Sequence, residues 1–350
     1  MEPEHKSQVP LVSVLMITYN HNPYIIKAIE GVISQKTEFP IELIIGEDCS
    51  TDGTHEIVLE YEQRHPDIIR VMTSDANVGA KRNFKRCLDA ARGKYLAHCE
   101  GDDYWHEPGK LQMQVDYLES HPECVMVHSD CDYVQMPGGE RRENLMALQK
   151  TFPDEEMALR LLAYDYIVRT PTVCTRAEYV RKVREENPYE FSDVFLMGDI
   201  QTWIELSRLG TFHFIRRSLA TMHRLPESAT ESKDISKVLR FRMSSLALRE
   251  HYIARFGLSG PEMITMLRRT AMPMLVWAYE TGDHKTALSV TGILRKHGYR
   301  LSLLESLYVK GARSRAMRRL LLPPILACLQ GRRISRLLGR DCSAFNWHWR

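Results

Sequence analysis

The chain opens on a near-continuous apolar run, Leu11-Val-Ser-Val-Leu-Met-Ile-Thr18. Such a run, rich in β-branched residues, predicts a strand buried on both faces. Tyr19-Asn-His-Asn-Pro23 breaks it, and apolar residues then recur at Ile25, Ala28, Ile29, Val32 and Ile33, the spacing of one helix face. The alternation repeats. Ile41–Ile45 predicts a second strand, residues 54–65 a helix stopped at Pro66, and residues 68–72 a short third strand. Residues 80–91 predict an amphipathic helix closed by Gly93, and Tyr95–Cys99 a fourth strand. This β-α-β-α-β-α-β order predicts an α/β domain, a mostly parallel sheet with helices on both faces.

The pattern changes further along. Residues 110–118 predict a helix, 125–129 a strand, 137–142 a loop, 154–163 a helix, 168–175 an extended stretch and 200–209 another helix. From about Asp234 onward the spacing is helical, Met- and Leu-rich over 238–256 and 262–280, with a turn at Thr281-Gly-Asp-His284. The division expected is therefore an α/β domain over 10–225 and a helical C-terminal region over 234–350. A length of 350 residues suits one large domain with an appendage.

Candidate chemistry follows from the topology. In open parallel sheets ligands bind beyond the carboxyl ends of the strands. Three polar clusters fall at those ends: Thr18-Tyr-Asn20, Glu47-Asp48 with Ser50-Thr-Asp52, and Asp102-Asp103. Ser50, Thr51 and Asp52 read as capping and turn residues, whereas Asp48 lies nearer the strand end and reads as functional. Adjacent aspartates repel each other unless a cation or donor compensates them, so Asp102-Asp103 is well sited to hold a divalent metal through oxygen. The first strand-to-helix turn has no glycine, so neither Gly-x-Gly-x-x-Gly nor Gly-x4-Gly-Lys-Ser/Thr is present there. A nucleotide diphosphate would then be met by a metal, Mg2+ or Mn2+, on the carboxylates.

Val12-Ser-Val-Leu-Met-Ile-Thr-Tyr-Asn20, Gly46-Glu-Asp-Cys-Ser-Thr-Asp-Gly-Thr54, Asn77-Val-Gly79 with Arg82-Asn83, and Glu100-Gly-Asp-Asp-Tyr-Trp105 together resemble the family 2 glycosyltransferases of the GT-A fold. The resemblance spans roughly residues 10–225 and is closest to bacterial members that build surface polysaccharides. It implies that Asp48 hydrogen-bonds the nucleotide base, that Ile17 and Thr18 line the same pocket, and that Lys81 or Arg82 lies near the base. Asp102 and Asp103 match the DXD element, with Asp103 the main metal ligand and Asp102 beside the nucleotide-sugar; Glu100 is left without a role. The implied activity is metal-dependent, inverting hexosyl transfer from a nucleotide-diphosphate-sugar to a saccharide or lipid-linked acceptor.

Inversion needs a carboxylate to take the acceptor's proton. Asp199 follows Gly198 and opens a predicted helix, whose start favours negative charge. Spacing alone serves a helix-start residue as well as a base. Its resemblance to the family's base element makes Asp199 the expected general base, with Asp193 the runner-up. His223-Arg224 is similar to the family's closing segment and is expected near the diphosphate or metal, with a structural role for His223 the even alternative. Trp105 and Trp203 are expected to pack in the interior.

Charge and composition bound the rest. A net charge of +2 with 26% charged residues implies no general polyanion or nucleic-acid partner. Lys310–Arg340 carries nine Lys/Arg and no Asp or Glu; this suits either peripheral contact with an anionic membrane over 310–340 or a solvated basic face. The N-terminus lacks the pattern of a signal peptide, and no run reaches the ~20 apolar residues of a spanning helix. The eight cysteines form no Cys-x-x-Cys pair. The expectation is reduced thiols in the cytoplasm, with the inner membrane's cytoplasmic face as the peripheral option. A non-catalytic nucleotide-sugar or polysaccharide-binding module is the alternative function. A nucleotidyltransferase would need a Gly-rich loop that Thr18–Pro23 lacks.

Overall fold

The computed structural model describes residues 9–144, 157–163, 168–187, 194–226 and 234–321. β1 (Val12–Thr18), α1 (Asn22–Ile33), β2 (Ile41–Glu47), α2 (Thr54–Arg64), β3 (Ile69–Met72), α3 (Ala80–Ala90) and β4 (Tyr95–His98) follow in the predicted order. β1 pairs in parallel with β2 and β4, and β2 with β3. Val12, Val14, Leu15 and Met16 of β1 are almost wholly buried, as a strand covered on both faces requires. The predicted face of α1 closes one side: Ile25, Ala28, Ile29 and Val32 are fully buried. Each such Ile or Val contributes roughly 1.5–3 kcal/mol.

Beyond β4 the sheet becomes mixed. β5 (Tyr104–Trp105), α4 (Lys110–Ser120), β6 (Cys124–Gln135), β7 (Glu140–Arg142) and α5 (Met157–Ala163) follow. Then come a 3-10 turn at Thr170–Thr172, β8 (Cys174–Arg176), α6 (Ala177–Glu186), α7 (Asp199–Leu206) and β9 (Thr211–Arg224). The strand order is β3-β2-β1-β4-β8-β6-β9-β5, with β7 hairpinned onto β6. β8 is antiparallel to both β4 and β6, and β5 to β9, while β6 and β9 run parallel. The expected strand at 125–129 is thus a 12-residue strand, and the expected loop at 137–142 ends in β7. Trp105 and Trp203 are 3% and 2% exposed, packed as expected.

The chain divides into two compact units at Phe241/Arg242, later than the composition shift near 225–234. The break falls within α8 (Ile235–Phe256). In the second unit α9 (Pro261–Thr281) ends on Gly282 at φ 83°, a left-handed position that favours glycine. Asp283 caps α10 (His284–Lys296) by accepting from the Thr286 amide at 3.0 Å. Ser302 and Glu305 form a capping box on α11 (Leu303–Ala312). Among the described residues no helix is long and apolar enough to cross a membrane. Residues 322–350, most of the basic 310–340 stretch, lie outside the described residues. All six described cysteines are free thiols, and five are buried.

Candidate active site

The ends of β1 and β2 are bound together by their own side chains. Asn20 (φ 56°) and Cys49 (φ 62°) both turn left-handed just after a strand. Asn20 Oδ1 accepts from the Thr51 amide at 2.8 Å, and Ser50 Oγ accepts from the Asn20 amide at 3.0 Å. Asp52 accepts from the Asn22 and Thr54 amides, each at 3.0 Å, which gives Ser50, Thr51 and Asp52 the turn-making role expected of them. Glu47 is fully buried; burial opposes its charge, but hydrogen bonds from Ser50 and His55 outweigh that and hold its carboxyl below the usual range.

Asp48 is also buried, and both its oxygens are engaged. Oδ1 accepts from the Val78 amide at 2.8 Å and Oδ2 from the Gly79 amide at 2.9 Å. Asp48 therefore shapes the Asn77-Val78-Gly79 turn at this crevice. Thr18 is 2% exposed, and its Oγ1 has no hydrogen-bond partner among the described residues. Arg82 is exposed, while Lys81 donates to the Phe195 carbonyl in the segment leading to Asp199. Sequence reasoning passed over Arg86. It donates to the Thr73 carbonyl at 2.8 Å and the Glu47 carbonyl at 3.3 Å, bracing the ends of β2 and β3.

The strand end after β4 has the opposite character. The Gly101 amide donates to the Ile17 carbonyl at 3.0 Å. A Cβ at Gly101 would lie 2.6 Å from Thr18 Oγ1, so only glycine lets the carboxylate loop lie this close to β1. Glu100, Asp102 and Asp103 then converge, each offering an oxygen within 4.8 Å of the others. Burial and the neighbouring Asp102 and Asp199 push the Glu100 carboxyl up to about 8. Burial, Asp102 and Glu100 raise Asp103 well above the carboxylate range. Like charges crowded in low dielectric need a counter-charge, and an all-oxygen donor set fits a hard divalent cation. Glu100 belongs to this cluster, which the sequence reading had limited to Asp102 and Asp103.

Asp199 is the first residue of α7, and its Oδ1 accepts from the Ile200 amide at 2.8 Å. Its side chain is exposed, although neighbouring protein crowds the carboxyl. Burial raises its carboxyl, against the opposing effects of the Ile200 amide, Arg169 and Thr170. Glu100 senses Asp199 directly, so the expected base borders the carboxylate cluster. Asp193 lies outside the described residues.

A buried polar network sets the turn that carries Arg169 and Thr170. Lys110 is fully buried, 4.0 Å from the Trp105 ring centroid, and donates to Gln114 Oε1 at 2.7 Å. Gln114 Nε2 donates to the Thr172 carbonyl at 2.8 Å, and Trp105 Nε1 to the Pro171 carbonyl at 2.8 Å. A lysine and a glutamine on a predicted helix give no sequence signal of burial.

β9 brings in the closing pair and separates its members. The His223 amide donates to Asp103 Oδ1 at 2.9 Å, and its Nδ1 to the Asp102 carbonyl at 2.5 Å. The ring packs between Tyr24 and Tyr104, with centroids 5.1 and 5.6 Å away. Successive strand residues face opposite sides, and Arg224 instead donates to the Tyr133 hydroxyl at 3.0 Å. Of the expected pair, His223 contacts both aspartates, while the Arg224 bond to Tyr133 lies on the other face of the strand.

Comparison with known proteins agrees with this arrangement. Residues 13–185 match the family model described as Glycosyl transferase family 2. The Mycobacterium tuberculosis protein Rv1520 is 51% identical over 115 residues, so the matched stretch spans 33% of each chain. Bacillus subtilis TuaG, named as a teichuronic acid biosynthesis glycosyltransferase, is 26% identical over 225 residues, 64% of this chain and 83% of TuaG. The crystal structure of Staphylococcus aureus TarS 1–349 superposes with a TM-score of 0.57 over 91% of each chain at 17% identity, a likeness of fold. Taken with the strand-end carboxylates, these matches show that the chain carries a family 2 glycosyltransferase domain over residues 13–185 and has the GT-A fold.

Proposed function

We propose that the chain transfers a sugar, with inversion, from a nucleotide-diphosphate donor to a saccharide or lipid-linked acceptor in cell-surface polysaccharide synthesis. The convergence of Glu100, Asp102 and Asp103 beside Asp199 carries this reading. TuaG's name supports the surface-polysaccharide role.

Asp103 and Asp102, with Glu100, would hold Mg2+ or Mn2+, which when bound neutralises charge building on the departing diphosphate. His223 fixes the aspartate loop from the side, through its amide to Asp103 and its ring Nδ1 to the Asp102 carbonyl. Asp48 presents the Val78-Gly79 turn, and Ile17 and Thr18 form the crevice wall where the nucleotide lies. Asp199 takes the proton from the acceptor hydroxyl. Its raised carboxyl pKa brings it closer to the operating pH, where a base works best.

Asp199→Asn lowers transfer by about 10²–10⁴-fold, while nucleotide-sugar binding in Mn2+, read by thermal shift, stays within twofold. Surviving turnover with lost donor affinity would refute the base. Metal-dependent donor binding without hydrolysis or transfer would favour the non-catalytic binding module.

A further inference from the structure

Opposite the His223 face of β9 lies a second polar site that the transfer mechanism does not use. Register defines the two faces. Val134 of β6 pairs with His223 and with Arg141 of β7, on the face that looks toward the aspartates. Tyr133 pairs with Arg142, while Gln135 pairs with both Glu140 and Arg224, so these five residues share the other face. They line, with Arg169, a cavity of about 230 Å³.

Its lining is built for an anion. Among the described residues that line it are three guanidiniums and one carboxylate, Glu140, which lies 3.4 Å from Arg142 Nη2. The Tyr133 hydroxyl donates to Gln135 Oε1 at 3.0 Å and accepts from Arg224 Nη1 at 3.0 Å, which fixes that guanidinium's direction. Guanidinium groups match phosphate and carboxylate oxygens as forked donors. The volume falls below the roughly 300 Å³ of small-ligand pockets, so it suits one charged group of a larger molecule. Arg169 links this cavity to the chemistry, since both Asp199 and Asp103 feel its charge.

We infer that this cavity holds an anionic group of the acceptor, a phosphate or a sugar-acid carboxylate, and so selects acidic acceptors. The inference rests on the proposed transferase reading and deepens it. An acceptor anchored through Arg142, Arg169 and Arg224 sits on the face of β9 opposite His223, and Arg169 leads from there toward Asp199. The donor diphosphate and the acceptor anion then have separate cationic partners.

The test titrates the full chain calorimetrically with glycerol 3-phosphate and D-glucuronate, with glycerol and D-glucose as neutral partners. UDP, GDP and dTDP are titrated separately in Mn2+. One or both anions bind, the neutral compounds do not, and the anion that binds identifies the acidic group. Arg142→Gln and Arg224→Gln each weaken that anion about tenfold, the loss of one charge-assisted hydrogen bond, and leave nucleotide affinity within twofold. In donor-turnover assays, the acidic saccharide outpaces its neutral counterpart, and Arg142→Gln slows only the acidic one. The inference falls if neither anion binds, if neutral and acidic compounds behave alike, or if either variant weakens the nucleotide in parallel. The last result would make the cavity part of the diphosphate site. Failure of the parent chain to bind any nucleotide would refute the donor reading, a result separate from the anion titration.

Discussion

The strand-end acids of the two halves of the sheet are treated in opposite ways. In the parallel half every buried carboxylate is met by the chain itself. Glu42 accepts from Ser13 at 2.6 Å and from the Arg92 amide at 2.9 Å, Glu47 from Ser50 and His55, and Asp48 from two turn amides. For Glu42 and Glu47 burial opposes the charge, and hydrogen bonding overcomes it to hold both below the usual range. In the mixed half, burial raises Glu100, Asp103 and Asp199, with neighbouring acids adding to the first two. The difference separates scaffold from site. Satisfied acids fix the shape of the crevice, and acids crowded against one another mark where a ligand's charge is expected.

The largest effect expected from this contrast is at Asp103. Asp103→Asn removes the main proposed metal ligand while keeping an oxygen for the His223 amide. Turnover falls by about 10²–10³-fold, the several kcal/mol a metal supplies. The Mn2+-dependent rise in melting temperature disappears. Without metal at pH 8, the variant melts no lower than the parent, because repulsion with Asp102 and Glu100 is relieved. An undiminished Mn2+ shift would remove Asp103 from the metal site.

In the satisfied half the same kind of change costs stability. Asp48→Ala leaves the Val78 and Gly79 amides without their acceptor, a loss of about 2–6 kcal/mol at roughly 1–3 kcal/mol per group. Denaturant unfolding measures the loss, and amide exchange at Val78 and Gly79 speeds up. Asp48→Asn keeps one acceptor oxygen and loses less. An unchanged midpoint for Asp48→Ala would mean the turn stands without its carboxylate.

Much of this was legible in the sequence, for reasons that also set the limit. The elements from β1 to β4 show because a strand buried on both faces is apolar throughout, while the helices over it are amphipathic. Asp102 and Asp103 show because the fourth strand delivers them to the ligand end. Two-residue β5 is too short for any period, and α6 buries only Ala177, Val180 and Val183 among charged neighbours. That β8 inserts between β4 and β6 is a long-range fact with no local signal. Glu100 carries no such signal, since only the folded loop brings its carboxylate within 4.8 Å of those of Asp102 and Asp103. Lys110 reads as a surface lysine, yet its ammonium is buried against Trp105 and Gln114. Arg169 becomes notable only once the 3-10 turn places it between Asp103, Asp199 and the Arg142–Arg224 cavity.

The seam between the halves gives the smallest effect. β4 pairs in parallel with β1 and antiparallel with β8, and it ends on His98, which is 4% exposed. The ring stacks on Phe84 at 5.4 Å and meets Trp203 edge-on at 5.7 Å; its Nε2 has no hydrogen-bond partner among the described residues. Burial, then the charges of Arg184 and Lys110, lowers it from 6.5 to about 3. The unfolded chain therefore binds a proton below pH 6.5 that the native chain refuses until about pH 3. Stability is lost as pH falls through that window, and at pH 5 the loss amounts to about 2 kcal/mol. His98→Phe keeps an aromatic ring on Phe84 and Trp203 without a titrating group. Its unfolding free energy should fall less steeply between pH 7 and pH 5 than the parent's, by about that 2 kcal/mol, whatever its value at neutral pH. Parallel slopes would mean that His98 takes up its proton in the native state, and the seam would then be wetter than its packing implies.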